Sequence, residues 1–136
     1  MNINTGVQDF NLADRVTVRF NPTDMVFIDR LKTAMDNCVA REEALQDELK
    51  GNDDVMVMLK ASSAADADLA QYINELFGLD VVTPLCEGVS VRAWADGMPI
   101  WANILMAILE VVDASQADQL KASQKRIEKY TKKYHR

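Results

Sequence analysis

Val16, Val18 and Phe20 alternate with Thr17 and Arg19, which predicts a short strand with one apolar face. So short a strand needs a partner: apolar residues within positions 3–12, a later segment, or another chain. The pattern then changes to a helical period. Asn21 is placed to cap a helix, Pro22 to take its first position, and Asp24 to face the positive end of its dipole. From there Ile28, Leu31, Met35, Cys38, Leu45 and Leu49 recur at steps of three and four, with Glu42 in the one missing place. The spacing predicts a helix of about 28 residues ending at Gly51-Asn52. Its narrow, nearly heptad seam suits packing on one partner helix, within the chain or between chains.

Asn52-Asp53-Asp54 can cap a second helical stretch that holds Val55, Met58 and Leu59. Residues 53–77 can form one helix or two, with Ser62 and Ser63 favouring a break, and Leu69, Tyr72, Ile73, Leu76 and Phe77 resume the period up to a stop at Gly78. Residues 79–97 read as irregular. Thr83-Pro84 could open a turn closed by Gly88, and Ser90 could cap another that carries Val91 and Trp94. Pro99 then opens the most apolar helix, with Ile100, Trp101, Ile104, Leu105, Ile108, Leu109, Val111 and Val112 around much of its circumference. Beyond Asp113 only Leu120, Ile127, Tyr130 and Tyr134 remain as large apolar or aromatic residues. Leu120, Ile127 and Tyr134 lie seven apart, a narrow stripe that could lie along a partner. The fold class is therefore mainly α: a helical bundle with a short N-terminal β-strand or hairpin and a long C-terminal helix ending in a basic tail. The whole, residues 1–136, reads as one domain: a strand arm over 1–21, a helical body over 22–117 and a basic helix or tail over 118–136.

Charge sharpens this picture at one place. Residues 1–120 carry 8 Lys and Arg against 20 Asp and Glu, whereas residues 121–136 carry 7 against Glu128 alone. Lys121, Lys125, Arg126, Lys129, Lys132, Lys133 and Arg136 thus put a basic end on an acidic chain of net charge −6. Lys and Arg interleaved with Tyr130 and Tyr134 could read a nucleic acid, but the acidic body would repel a polyanion, which leaves protein as the better partner. Cys38 and Cys86 lack metal-type spacing and have apolar neighbours, as buried free thiols of a reducing cytoplasm do. The opening MNINTGVQDF has no basic region followed by an apolar run, so no secretion signal is expected. The apolar stretch Pro99–Leu109 is too short to span a bilayer.

Catalytic chemistry has little material to work with. His135 is the single histidine and the penultimate residue, so no Ser–His or Cys–His pair has a plausible setting. Asp53/Asp54 and Glu42/Glu43 fit helix capping and solvation, Asp66-x-Asp68 lacks the spacing of a calcium loop, and Gly78, Gly88 and Gly97 are too dispersed to cradle a phosphate. Trp94 and Trp101 read as core anchors, although the stretch between them could leave an apolar patch for a partner. No enzyme, cofactor or metal site is expected.

VTVRF, the NPTD helix start, INELFG, PLCEGVS, PIWANILMAILEVV and the final KYTKKYHR come one after another over residues 15–136. This order of parts resembles small proteins encoded in the tail-gene regions of phages and prophages of Gram-positive bacteria, tail assembly chaperones among them. The tryptophans and GMPIW depart from that likeness. The resemblance implies a non-enzymatic, mostly helical factor in the host bacterial cytoplasm that binds the tape-measure protein and tail-tube subunits. It also implies a longer form made by frameshifting in some members. Two other readings stay open. One is a structural virion component, such as a minor tail or head–tail joining protein, that self-assembles through Val16–Phe20. The other is a nucleic-acid-binding regulator acting through the tail. The candidate partner-binding residues are Ile28, Leu31 and Met35 on the seam, Trp94 and Trp101, and Leu120, Lys125, Arg126, Ile127, Lys129, Tyr130, Lys132, Lys133 and Tyr134 on the tail.

Overall fold

The computed structural model describes residues 1–134, with the side chains of residues 120, 123, 124 and 126–134 outside the described set. The chain is mainly helical, with an N-terminal β-hairpin and a long C-terminal helix, in keeping with the periodicity. Strand β2 (Val16–Phe20) pairs antiparallel with β1 (Gln8–Leu12), placing Phe10 opposite Val18. Of the three partners open to it, the strand has taken the segment just before it, within positions 3–12. Between them, Ala13 and Asp14 both adopt positive φ, and the Arg15 N–H donates to the Leu12 carbonyl at 3.0 Å. Such a turn matches the right-handed twist of the two strands. The buried face of the hairpin docks through aromatic rings. Phe20 stacks on Phe10 at 4.5 Å and on Phe27 at 4.2 Å between ring centres, and Phe77 lies 6.1 Å from both Phe20 and Phe27.

Helix α1 (Met25–Leu49) begins three residues later than expected, because Asp24 is its cap and not Asn21. The Asp24 carboxylate accepts from the Val26 N–H at 2.9 Å. Asn21 instead accepts from the Thr23 N–H and hydroxyl, closing a local turn that buries Pro22 ahead of the helix. The buried stripe of α1 is Phe27, Leu31, Ala34, Cys38 and Leu45, so Ile28 and Met35 lie half-buried at its margin. Helix α2 (Val55–Phe77) runs antiparallel to α1, with Phe27 beside Phe77 at one end and Arg41 bonded to Asp68 further along. Ala34 and Ala65, both buried, allow the two helices close approach.

No break occurs at Ser62; α2 is continuous. Ala61, Ala64 and the buried Ala65 surround the two serines, and their high helix propensity together with packing outweighs the weak preference of serine for turns. Gly78, at φ 70°, ends the helix in the left-handed conformation that glycine adopts without penalty. Asn74 then organises the chain beyond the helix end. Its side-chain oxygen accepts from the Val81 and Val82 N–H groups at 2.8 and 3.1 Å, and its amide donates to Asp80 at 3.1 Å. These bonds start the short α3 (Val82–Cys86), which Glu87 closes in the left-handed conformation just before Gly88. Hydrogen bonds from Thr83 hold the Asp80 carboxyl below its usual range.

Ser90 starts a turn rather than a helix, and Trp94 belongs to a small hairpin of β3 (Trp94–Ala95) and β4 (Met98–Pro99). Asp96-Gly97 makes its turn, with both residues at positive φ. Pro99 therefore ends a strand, and α4 (Ile100–Tyr134) starts one residue later. The first turn of α4 is anchored by the Ile100 and Trp101 N–H groups, which donate to the Ala93 and Val91 carbonyls at 2.8 and 2.9 Å. Trp101, Ile104, Leu105, Ile108 and Val112 are all buried, making α4 the third side of the core against α1 and α2. The segment Ile100–Gln119, of mean hydropathy 1.3, exceeds the apolar stretch read from the sequence and is long and apolar enough, by length and composition, to cross a membrane. Its buried residues pack on the protein's own core.

Candidate functional site

Helix α1 ends at Leu49, and the chain turns through Lys50–Asp54 before α2 begins. The antiparallel register sets Arg41 beside Asp68, so α1 stops short of the first turns of α2. Asp54 caps α2, accepting from the Met56 N–H at 2.9 Å. Directly after this cap come Val55, Met56, Val57, Met58 and Leu59, five successive large apolar residues that are all exposed. Met56 is 73% exposed and Leu59 60%, values ordinarily seen for charged side chains. Met56, Val57 and Leu59, with Lys60 and Ser63, line an open apolar groove. Single exposed apolar residues are commonplace, whereas a contiguous run marks a contact surface. Two methionines make this one adaptable, since the unbranched thioether fits irregular partners.

The chain just before this run is rich in carboxylates. Residues 42–54 hold Glu42, Glu43, Asp47, Glu48, Asp53 and Asp54 against Lys50. Two of these are engaged within the body. Arg92 bonds Glu42 through Nε and approaches Asp66 with Nη1 at 3.6 Å, while Arg41 reaches Asp68 at 2.8 Å and Glu48 at 3.4 Å. Glu43, Asp47, Asp53 and Asp54 are exposed and form no ion pair among the described residues.

The candidate residues read from the sequence are scattered by the fold. Leu31 is 1% exposed and lies in the core, so the seam with Ile28 and Met35 serves the chain's own packing. Trp101 is buried too, with an indole N–H that finds no acceptor among the described residues, whereas Trp94 is 71% exposed on the small hairpin. The expected Trp94–Trp101 patch is thus reduced to Trp94. Lys125 is exposed on α4. Leu120, Arg126, Ile127, Lys129, Tyr130, Lys132, Lys133 and Tyr134 have side chains outside the described residues, and His135 lies outside them altogether. Sequence reasoning missed Val55–Leu59, because an apolar run after a cap reads the same whether a neighbour covers it or not.

For chemistry the body offers little. Among the described residues no group of three or more His, Cys, Asp or Glu could hold a metal ion. A cleft between α1 and α2, lined by Arg30, Thr33, Asn37, Tyr72 and Glu75 among others, pairs no nucleophile with a base. Both cysteines are free and buried. Burial, and secondarily the Glu42 charge, pushes the Cys38 thiol up to about 12, and burial raises Cys86. Both thiols are therefore expected to resist a thiol-specific disulfide reagent at pH 8 in the native protein and to react fully after unfolding. Rapid native labelling of either would contradict their burial. Because the Cys38 thiol titrates later when folded, its contribution to stability is present below pH 9 and declines as pH rises from 9 towards 12. No protein-family model, curated protein or solved structure matches this chain.

Proposed function

We propose that this protein is a non-catalytic assembly factor, a phage tail assembly chaperone, that holds an apolar helical client through the start of α2. The single observation that carries the binding part of this reading is the uncovered run Val55–Leu59. An apolar helical turn with adaptable methionines, preceded in the chain by exposed carboxylates, suits the amphipathic helices of a long client, and it suits many registers of such a helix. Trp94, exposed on its hairpin, supplies a second apolar contact. The phage assignment rests on the ordered resemblance from VTVRF to KYTKKYHR. The client it implies is the tape-measure protein, whose apolar helices would otherwise aggregate before the tail-tube subunits arrive.

Co-expression with the tape-measure protein of the same tail region tests this reading. The expected result is that the client moves from the pellet to the soluble fraction and co-purifies with the chain. A client that stays insoluble, at equal expression, contradicts it. Mass spectrometry of finished particles separates the chaperone from a structural virion component, since only the latter is retained there. Self-assembly through a free Val16–Phe20 strand loses its original motive, because that strand is already paired with Gln8–Leu12.

A further inference from the structure

We infer that the basic C-terminal segment, residues 121–136, of one copy docks on the Val55–Leu59 groove of a second copy, so that the protein forms a dimer by exchanging its tails. The first ground is charge. The chain leading into the groove carries Glu43, Asp47, Asp53 and Asp54, exposed carboxylates without an ion pair among the described residues, and they outnumber Lys50 and the groove's own Lys60. The chain itself carries the complement: seven Lys and Arg against Glu128 within its last sixteen residues. Opposite charge of this density steers the two surfaces together and sets their register.

The second ground is pattern. Leu120, Ile127 and Tyr134 recur every seven residues between those cations, the spacing of a helix that lays one narrow stripe into an apolar groove. Helix α4 is unbroken from Ile100 to Tyr134, so the segment is already in the conformation that such docking needs. The third ground is reach. The last buried position on α4 is Val112, and from Asp113 on no described side chain is buried. Val55–Leu59 is exposed although α4 of the same chain is one unbroken helix, so the occupant comes from another molecule. Reciprocal exchange uses the same two surfaces twice and closes as a two-fold dimer.

The inference gives this surface a second occupant that a client would have to displace, and it is read as a mass without any client present, so its failure and that of the client reading are seen separately. Sedimentation velocity of the full chain is expected to give the mass of two copies in low salt. Raising salt from about 50 mM to about 500 mM is expected to weaken association by about tenfold or more, as charge pairs between exposed groups are screened. A chain ending at Leu120, and the double variant Met56→Ser with Leu59→Ser, are both expected at the mass of one copy, the double variant with unchanged helical circular dichroism and the shortened chain with only the signal of residues 121–134 lost. Carbodiimide coupling of a mixture of 15N-labelled and unlabelled chains is expected to join tail lysines to Asp47, Asp53 or Asp54 between copies. A full chain that stays at the mass of one copy overturns the inference. So does association that survives removal of residues 121–136, or coupling confined to single copies.

Discussion

Replacing Leu105 by Ala is expected to lower the unfolding free energy by about 2–5 kcal/mol, the range for a fully buried leucine whose cavity cannot collapse. Leu105 has no exposed surface, and it belongs to the cluster in which α4 meets Leu31 and Cys38 of α1 and Leu69 and Ile73 of α2. Three helices bound that region, so no single one can shift inward to refill the space. Against a total stability of about 5–15 kcal/mol for a domain, the loss is large. In a melt it appears as a fall on the order of 10 °C. The neighbouring residue supplies the control. Met106, exposed on the other side of the helix, is expected to tolerate alanine within about 0.5 kcal/mol. Equal losses at the two positions would mean that α4 does not present the face seen here. Urea denaturation of both variants, with matched slopes, makes the comparison.

Arg92→Met carries the second large effect. Arg92 links three elements, since it stands in the loop before β3 and bonds Glu42 of α1 while approaching Asp66 of α2. All three side chains are mostly shielded from water, and one Asp66 oxygen is buried without a hydrogen-bond partner among the described residues. Removing the guanidinium leaves two half-buried carboxylates facing each other across the helix pair. Breaking a fully buried pair in this way costs about 3–5 kcal/mol; partial exposure at this site reduces the expected loss to about 1–3 kcal/mol. Lysine at this position keeps the charge but not the fork, and should recover only part of the loss. The triple variant Arg92→Met, Glu42→Gln, Asp66→Asn should regain most of it, because neutral amides tolerate the site without a cation. If Arg92→Met were neutral, the ion pairs would contribute nothing and the presence of Glu42 would need another cause.

In the sequence alone Glu42 is a puzzle. It interrupts the heptad of α1, and the seam offers no reason for it. Its partner lies fifty residues away in a loop, which periodicity does not reach. Other features are local and therefore legible. The alternation of Val16, Val18 and Phe20 marks β2, Gly78 marks the end of α2, and the run from Ile100 to Val112 marks the central helix. The buried stripe of α1 is displaced from Ile28 and Met35 onto Phe27 and Ala34, because Ala34 is too small to register as apolar patterning yet is buried in the core. The small hairpin carries a signal that the serine and proline around it obscure: Asp96-Gly97 is a favoured two-residue turn. The groove at Val55–Leu59 is illegible for a different reason. Its exposure is set by where α1 stops relative to α2, a matter of register between two helices, and no window of sequence contains that.

The proposed function stands or falls on whether this uncovered turn of α2 binds a partner. The decisive comparison is client solubility on co-expression with the native chain and with the Met56→Ser, Leu59→Ser double variant. Both residues are exposed, so the variant should unfold within about 0.5 kcal/mol of the native protein. The expected result is a soluble client with the native chain and an insoluble one with the variant. A client kept equally soluble by both would contradict binding at this turn and move the binding surface elsewhere.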